Sequence, residues 1–340
     1  MRAPTGSANE PLLRIEDLHV EFRTGGGTVE ALNAVDLWID AGETVAVVGE
    51  SGSGKSVTAL AVLGLLGNGR VSGGRITWDG RDITGADNHD MRTVRGKDIS
   101  VIFQDPMTSL DPLFTIGHQL VEAYRIHHDV SKRKARERAV ELLDLVGIPE
   151  PETKFKAYPH QLSGGQRQRV MIAGALACDP RLLIADEPTT ALDVTVEAQV
   201  LALIRDLQDR TGVGLMLITH DMGVVAEMAD RVVVFYAGQV VETGTADEIL
   251  DRPQHPYTQA LLDAIPRRDT PRDQEMPAIP GAVPALNEMP SGCRFATRCS
   301  QAGPECETSQ PLRDIAGRQV RCWRPDEERG ALAPMAEVAR

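Results

Sequence analysis

The chain has 340 residues, 42% apolar and only 4% aromatic, with 36 Lys and Arg against 49 Asp and Glu for a formal net charge of -13. This suits a globular α/β protein with one large core plus an appendage, and it excludes a disordered chain and a general nucleic-acid surface, which needs clustered basic residues. With no apolar leader and no run approaching the ~20 apolar residues of a bilayer span, a cytoplasmic location is expected.

In chain order, Leu13 to Phe22 partly alternates apolar with polar residues, as an antiparallel strand with one wet face does, and should join Arg75 to Trp78 in a small β-subdomain. Four unbroken apolar runs, Val45 to Val48, Leu182 to Ala185, Leu215 to Ile218 and Val232 to Tyr236, read as strands of a parallel sheet covered on both faces. Ser131 is placed to cap a helix that buries Ala135, Ala139, Leu142, Leu143 and Val146 along one face and stops near Gly147. Its Lys132, Arg133, Lys134, Arg136 and Arg138 are expected to be a solvated face rather than a nucleic-acid patch. Six of the 21 prolines fall between Pro266 and Pro290, a density that blocks helix and central strand and marks a boundary. A charged, Ala-rich tail, 326–340, is expected to be disordered.

Gly49-Glu50-Ser51-Gly52-Ser53-Gly54-Lys55-Ser56 fits GxxxxGK(S/T), between the strand Thr44 to Val48 and a helical run Val57 to Leu66. Glycines let backbone N–H groups curl around an anion, the helix N-terminus adds positive potential, Lys55 can reach the β- and γ-phosphates of ATP, and Ser56 can ligate magnesium. Gly49, Ser51, Gly52, Gly54, Lys55, Ser56 and Val57 are therefore the candidate ATP contacts. The apolar strand Leu182 to Ala185 ends in Asp186 and Glu187, and strand alternation sends these two acids apart: Asp186 toward magnesium, Glu187 toward an attacking water. Leu162-Ser163-Gly164-Gly165-Gln166 precedes a helical run and offers a hydroxyl, two close-approach glycines and a second helix N-terminus.

That last motif resembles the signature of the ABC ATPases, and the likeness extends over the first 265 residues. It implies a P-loop ABC nucleotide-binding domain with a mostly parallel sheet core, an antiparallel β-subdomain and a helical signature subdomain at about 105–175. It also implies that two copies face head to tail, each ATP gripped by the phosphate loop of one and by Ser163 and Gly165 of the other. Further family positions are Phe22 to stack on adenine, Gln104 to sense magnesium and water, Asp193 in the D-loop, and His220 to contact the γ-phosphate. The catalytic set is then Glu187, His220 and Gln104, and the magnesium set is Ser56, Gln104 and Asp186.

Gln104-Asp105-Pro106-Met107-Thr108-Ser109-Leu110-Asp111-Pro112 and His255-Pro256-Tyr257-Thr258-Gln259-Ala260-Leu261-Leu262 resemble the dipeptide and oligopeptide importer ATPases. The resemblance implies a peptide importer subunit on the cytoplasmic face of the membrane. Its partners would be a second ATPase, homologous or identical, two permease subunits and, indirectly, an extracytoplasmic binding protein, with no nucleic acid. Import of nickel or another small solute, or a soluble ABC switch, are the alternatives. After the linker at 266–292, a 293–325 module carries Cys293, Cys299, Cys306 and Cys322, a C-x5-C-x6-C-x15-C spacing that matches no common zinc or ferredoxin motif. Four thiols in a reducing compartment suggest a staple of metal. The family likeness implies a [4Fe-4S] cluster, with structural zinc or no metal at all as the alternatives. Cys178 is expected to be a small core residue.

Overall fold

The computed structural model describes residues 10–105, 109–190, 192–265, 278–315 and 317–324. The expected tail at 326–340, part of the Pro-rich linker, and Pro106, Met107, Thr108 and Ala191 lie outside the described residues. The chain divides into two compact units: Met1–Ile39, Thr44–Gly85 and Ile218–Arg340 form the first, Asp40–Glu43 and Ala86–Leu217 the second. Among the described residues no helix is long and apolar enough to cross a membrane.

The strands are β1 (Leu13–Thr24), β2 (Gly27–Ile39), β3 (Thr44–Val48), β4 (Gly69–Trp78), β5 (Arg81–Asp82), β6 (Ile99–Ile102), β7 (Leu182–Asp186), β8 (Gly214–Ile218), β9 (Arg231–Tyr236), β10 (Gln239–Thr245), β11 (Arg313–Ile315) and β12 (Arg318–Val320). In the first unit, β2-β1-β4-β5 make an antiparallel sheet, with Ile15 opposite Leu37 and Ile76. The half-alternating pattern of β1 is thereby placed against Arg75 to Trp78 as expected.

The same unit holds β3, whose five residues are all buried, in parallel register with β9, Val45 opposite Arg231 and Val48 opposite Val234. Burial on both faces is why these strands read as unbroken aliphatic runs. From β9 the chain turns through Ala237 at φ 47° and Gly238 at φ 79° into antiparallel β10. Two consecutive left-handed residues give the tight hairpin turn whose twist matches the strands. β12 then pairs antiparallel with β10 (Glu242 opposite Val320) and with β11, so that these two short strands extend the edge of this unit's sheet. Tyr236, Tyr257, Phe295, Val234 and Ile249 share one buried cluster against which Cys293 and Cys299 pack.

The helix after β3 runs Lys55–Val62, shorter than the expected Val57 to Leu66. Gly64, at φ 60°, ends it: the Leu65 N–H donates to Leu60 O at 2.8 Å and the Gly64 N–H to Ala61 O at 3.0 Å. This pair of bonds around a left-handed glycine is a Schellman closure.

In the second unit β6 and β7 are parallel, Ile99 opposite Leu182, with helices Ile116–Arg125, Lys132–Leu145, Gly164–Ala175 and Val194–Thr211 beside them. Ser131 caps the second of these helices, accepting from the Lys134 N–H, and Ala135, Ala139, Leu142 and Leu143 are buried. Lys132, Arg133, Lys134 and Arg136 are solvated, and Arg133 pairs with Glu137 at 2.6 Å.

Candidate functional site

The sequence-derived site residues fall in both units. The first unit holds Phe22, the phosphate loop, His220 and the four C-terminal cysteines; the second holds Gln104, Leu162 to Gln166, Asp186, Glu187 and Asp193.

Two glycines of the phosphate loop are dictated by close approach. Gly49 sits at φ 145°, and a Cβ there would lie 2.2 Å from the Phe235 carbonyl oxygen. Gly54 at φ 107° caps the helix, with its Cβ position 2.6 Å from Leu32 Cδ2. Gly52 at φ 75° instead has open space at its Cβ position, and Ser51, Gly52 and Ser56 are exposed on the loop's open side. Lys55 is only 6% exposed, and its ammonium donates to Gly49 O at 2.7 Å and Glu50 O at 2.9 Å. Ser53 Oγ is buried without a hydrogen-bond partner. A nearly buried cation, a helix N-terminus with no side-chain cap and an orphaned hydroxyl in one glycine cradle form a site for a polyanion. ATP with its magnesium fits these residues: Lys55 and the loop amides would meet the phosphates, and the exposed Ser56 hydroxyl would meet the metal.

Phe22 lies two residues before the end of β1, opposite Gly69, and a Cβ on Gly69 would touch the Phe22 ring at 2.7 Å, so the glycine makes room for the aromatic face. His220 follows β8 and is exposed; beside it Asp221 caps the next helix by accepting from the Gly223 and Val224 N–H groups.

In the second unit Glu187, immediately after β7, has φ 47° although it is not glycine and precedes Pro188. Such a conformation costs about 1–3 kcal/mol and is held by its surroundings. Gln104 Nε2 donates to Glu187 Oε2 at 2.8 Å and Thr190 Oγ1 donates to the same oxygen at 2.9 Å. The Gln168 side chain, 1% exposed, donates to the Pro188 carbonyl. Sequence reasoning brought Gln104 and Glu187 into the site but missed Thr190 and Gln168; spacing from Glu187 and helical position were the only signals for them.

Ser163 caps the helix Gly164–Ala175: its hydroxyl accepts the Gln166 N–H at 3.3 Å and the Gln166 side chain accepts the Ser163 N–H at 3.2 Å. Leu162 anchors this corner in the core, while a Cβ on Gly165 would lie 2.8 Å from Val196 Cγ1. Asp193 caps the helix that carries Val196, accepting from the Val196 N–H at 3.0 Å. The motif thus presents a hydroxyl and a helix N-terminus to solvent beside a tightly packed glycine.

The four C-terminal cysteines line one small cavity, with His255, Phe295 and Trp323 among its other walls. Among the described residues Cys306 and Cys322 are buried, Cys293 and Cys299 half-buried, and none of the four is in a disulfide. Burial pushes the Cys293 thiol up to about 11, and the neighbouring Cys306, Cys322 and Cys299 add to the rise. The donor set suits a thiolate-ligated centre. The space does not: the cavity has about 10 Å³, roughly the one sphere that a single water needs. Among the described residues no group of three or more His, Cys, Asp or Glu is placed to hold a metal ion. Cys178 is buried, with a thiol pushed up to about 11 by burial and then by Asp179, as a core residue should be.

Residues 32–190 match the family described as ABC transporter, and residues 241–306 match the oligopeptide/dipeptide transporter C-terminal region. The chain is 50% identical over 321 residues to the oligopeptide transport ATP-binding protein AppD of Bacillus subtilis, covering 93% of this chain and 98% of that one. It is 49% identical over 322 residues to the dipeptide transport ATP-binding protein DppD of the same organism, covering 94% and 96%. Among solved structures it resembles a dimeric post-hydrolysis state of the ATP-binding cassette MJ0796 bound to ADP and Pi, with TM-score 0.62, 29% identity and coverage of 69% of this chain and 98% of that one.

Proposed function

The chain belongs to the ABC transporter ATP-binding proteins of the oligopeptide and dipeptide class, and from that premise we propose that it is the ATP-hydrolysing subunit that drives import of di- or oligopeptides through separate permease subunits. The observation that carries this reading is the pairing of an intact phosphate cradle around Lys55 with a C-terminal region of the peptide-transporter type.

In this reading Lys55, Ser56, Val57 and the loop amides of Gly49, Ser51, Gly52 and Gly54 bind the triphosphate, Phe22 stacks on adenine, and Asp186 with Ser56 and Gln104 holds magnesium. Glu187, oriented through the oxygen that Gln104 and Thr190 share, draws the proton from water. His220 meets the γ-phosphate and stabilises charge as it develops. The capped corner at Ser163 is a second anion cradle, which supports its use in trans, on the ATP of a partner ATPase, with Asp193 beside it. ATP then favours the closed dimer and hydrolysis releases it. Shifting a permease between 1:99 and 99:1 takes about 5.5 kcal/mol of differential binding, within reach of two interfacial nucleotides.

The subunit would sit on the cytoplasmic face of the membrane, held by its permeases. Cys293, Cys299, Cys306 and Cys322 would serve a [4Fe-4S] centre, or zinc in its place, only if their shared cavity of about 10 Å³ widens on binding, and anaerobic purification with iron, sulfide and zinc quantitation tests it. The transport reading is tested by co-expression with the permease subunits. ATP hydrolysis should rise when peptide-loaded binding protein is added; stimulation by nucleic acid or ribosomes in its place would overturn the reading in favour of a non-transport switch.

A further inference from the structure

Glu50 is an acid inside the loop that must receive the most anionic ligand of the molecule. Its carboxylate is held by a fork from the cysteine-bearing segment: Arg298 Nη1 donates to Oε2 at 2.7 Å and Nη2 to Oε1 at 3.0 Å. The guanidinium side chain is 4% exposed, against 29% for Glu50. Its remaining directions are also used: Nε donates to Pro280 O at 2.7 Å and Nη1 to the Tyr236 hydroxyl at 3.3 Å. The Glu50 N–H donates to the Tyr257 hydroxyl at 2.9 Å, and Tyr257 packs against Tyr236 and Phe295 at ring-centroid distances of 4.7 and 5.4 Å. A second tie runs from Arg294 to the Ala237 carbonyl, next to Gly238, whose N–H donates to Ser53 O at 2.8 Å.

We propose that Arg298 is a positioning residue of the ATP site: by neutralising and fixing Glu50, it removes a negative charge that would otherwise oppose the triphosphate in the phosphate loop. A planar, nearly buried guanidinium suits this role, because it presents two parallel donors in one orientation and stays charged at every working pH. The inference rests on the ATPase reading and names the residue that tunes its nucleotide affinity. It also gives the C-terminal segment a direct bearing on the ATP site, independent of any metal.

The test uses the full-length chain and a fluorescent ATP analogue, with phosphate release measured in parallel. Wild type must bind and hydrolyse ATP; if it does not, the ATPase reading itself fails. Against a binding-competent wild type, Arg298→Ala should weaken ATP binding and raise KM about tenfold, or ~1.4 kcal/mol, with kcat changed less than about threefold, the split expected of a binding effect. Adding Glu50→Gln to Arg298→Ala should restore affinity to within about twofold of Glu50→Gln alone, since the opposing charge is then gone. Unchanged affinity in Arg298→Ala, or a double variant as weak as Arg298→Ala, would overturn the proposal, because lost packing is not repaired by removing a charge. If Arg298→Ala does not fold, Glu50→Gln alone decides: binding equal to or tighter than wild type supports the role, and weakening beyond about threefold overturns it.

Discussion

Glu187→Gln isolates the chemistry from the binding. One carboxylate oxygen of Glu187 accepts from both Gln104 (2.8 Å) and Thr190 (2.9 Å), so the side chain's orientation is fixed by two donors on a backbone already locked at φ 47°. A glutamine has the same shape, and its carbonyl oxygen can take over that doubly bonded position. The other oxygen becomes an NH2, a donor with no basicity, facing the water. What is lost is general-base catalysis, about 10²- to 10⁴-fold in rate, which corresponds to roughly 2.7–5.4 kcal/mol of barrier. The phosphate cradle keeps every one of its residues, so ATP affinity should stay within about twofold of wild type. Steady-state phosphate release at saturating Mg-ATP, together with equilibrium binding of an ATP analogue, separates the two quantities. Turnover within threefold of wild type would refute the role given to Glu187, and a parallel loss of affinity would show that the substitution had disturbed the fold of the site instead.

Gly49→Ala should weaken ATP binding at least tenfold and destabilise the protein by about 1–3 kcal/mol, measured by denaturant unfolding, because its Cβ would meet the main-chain oxygen of Phe235 at 2.2 Å, which cannot swing aside. Gly165→Ala should cost about 1–3 kcal/mol through its clash with Val196, and Val196→Ala in the same chain should recover most of that; no recovery would mean that Gly165 serves something other than packing. Cys178, with its thiol pushed up to about 11, should resist thiol reagents in the native protein at pH 8.5 and react freely once unfolded. Since the folded value lies above the unfolded one, Cys178 stabilises below about pH 9 and that contribution is lost as pH rises toward about 11, so wild type should lose stability faster than Cys178→Ala across that window.

Most of the candidate site was legible because its chemistry is local. Lys55 follows its glycines within one loop, Ser163 caps the helix that begins at the next residue, and Asp186 ends one aliphatic strand with Glu187 the residue after it; each motif carries its own turn geometry and charge. The buried strands were equally plain, since burial on both faces leaves no polar position to confuse the period. The end of the first helix was misjudged because Leu63, Leu65 and Leu66 continue the apolar run past Val62, and only the left-handed Gly64 stops the turn. The links from the cysteine segment to the phosphate loop were invisible for a different reason. Arg298 and Glu50 are 248 residues apart, and nothing in the sequence around either one distinguishes a buried fork from a surface ion pair. Likewise, proline density predicted where regular structure would stop but not that β12 would pair with β10. Non-local pairing is set by tertiary packing, which short motifs do not encode.

The most direct test of the account is uptake of a labelled dipeptide into sealed vesicles that carry the permease subunits and binding protein, with this chain and Mg-ATP supplied on the cytoplasmic side. Accumulation that requires ATP and falls at least about 10²-fold with Glu187→Gln would bear out the account; steady ATP hydrolysis with no peptide accumulation, or uptake that persists in the Glu187→Gln variant, would contradict it.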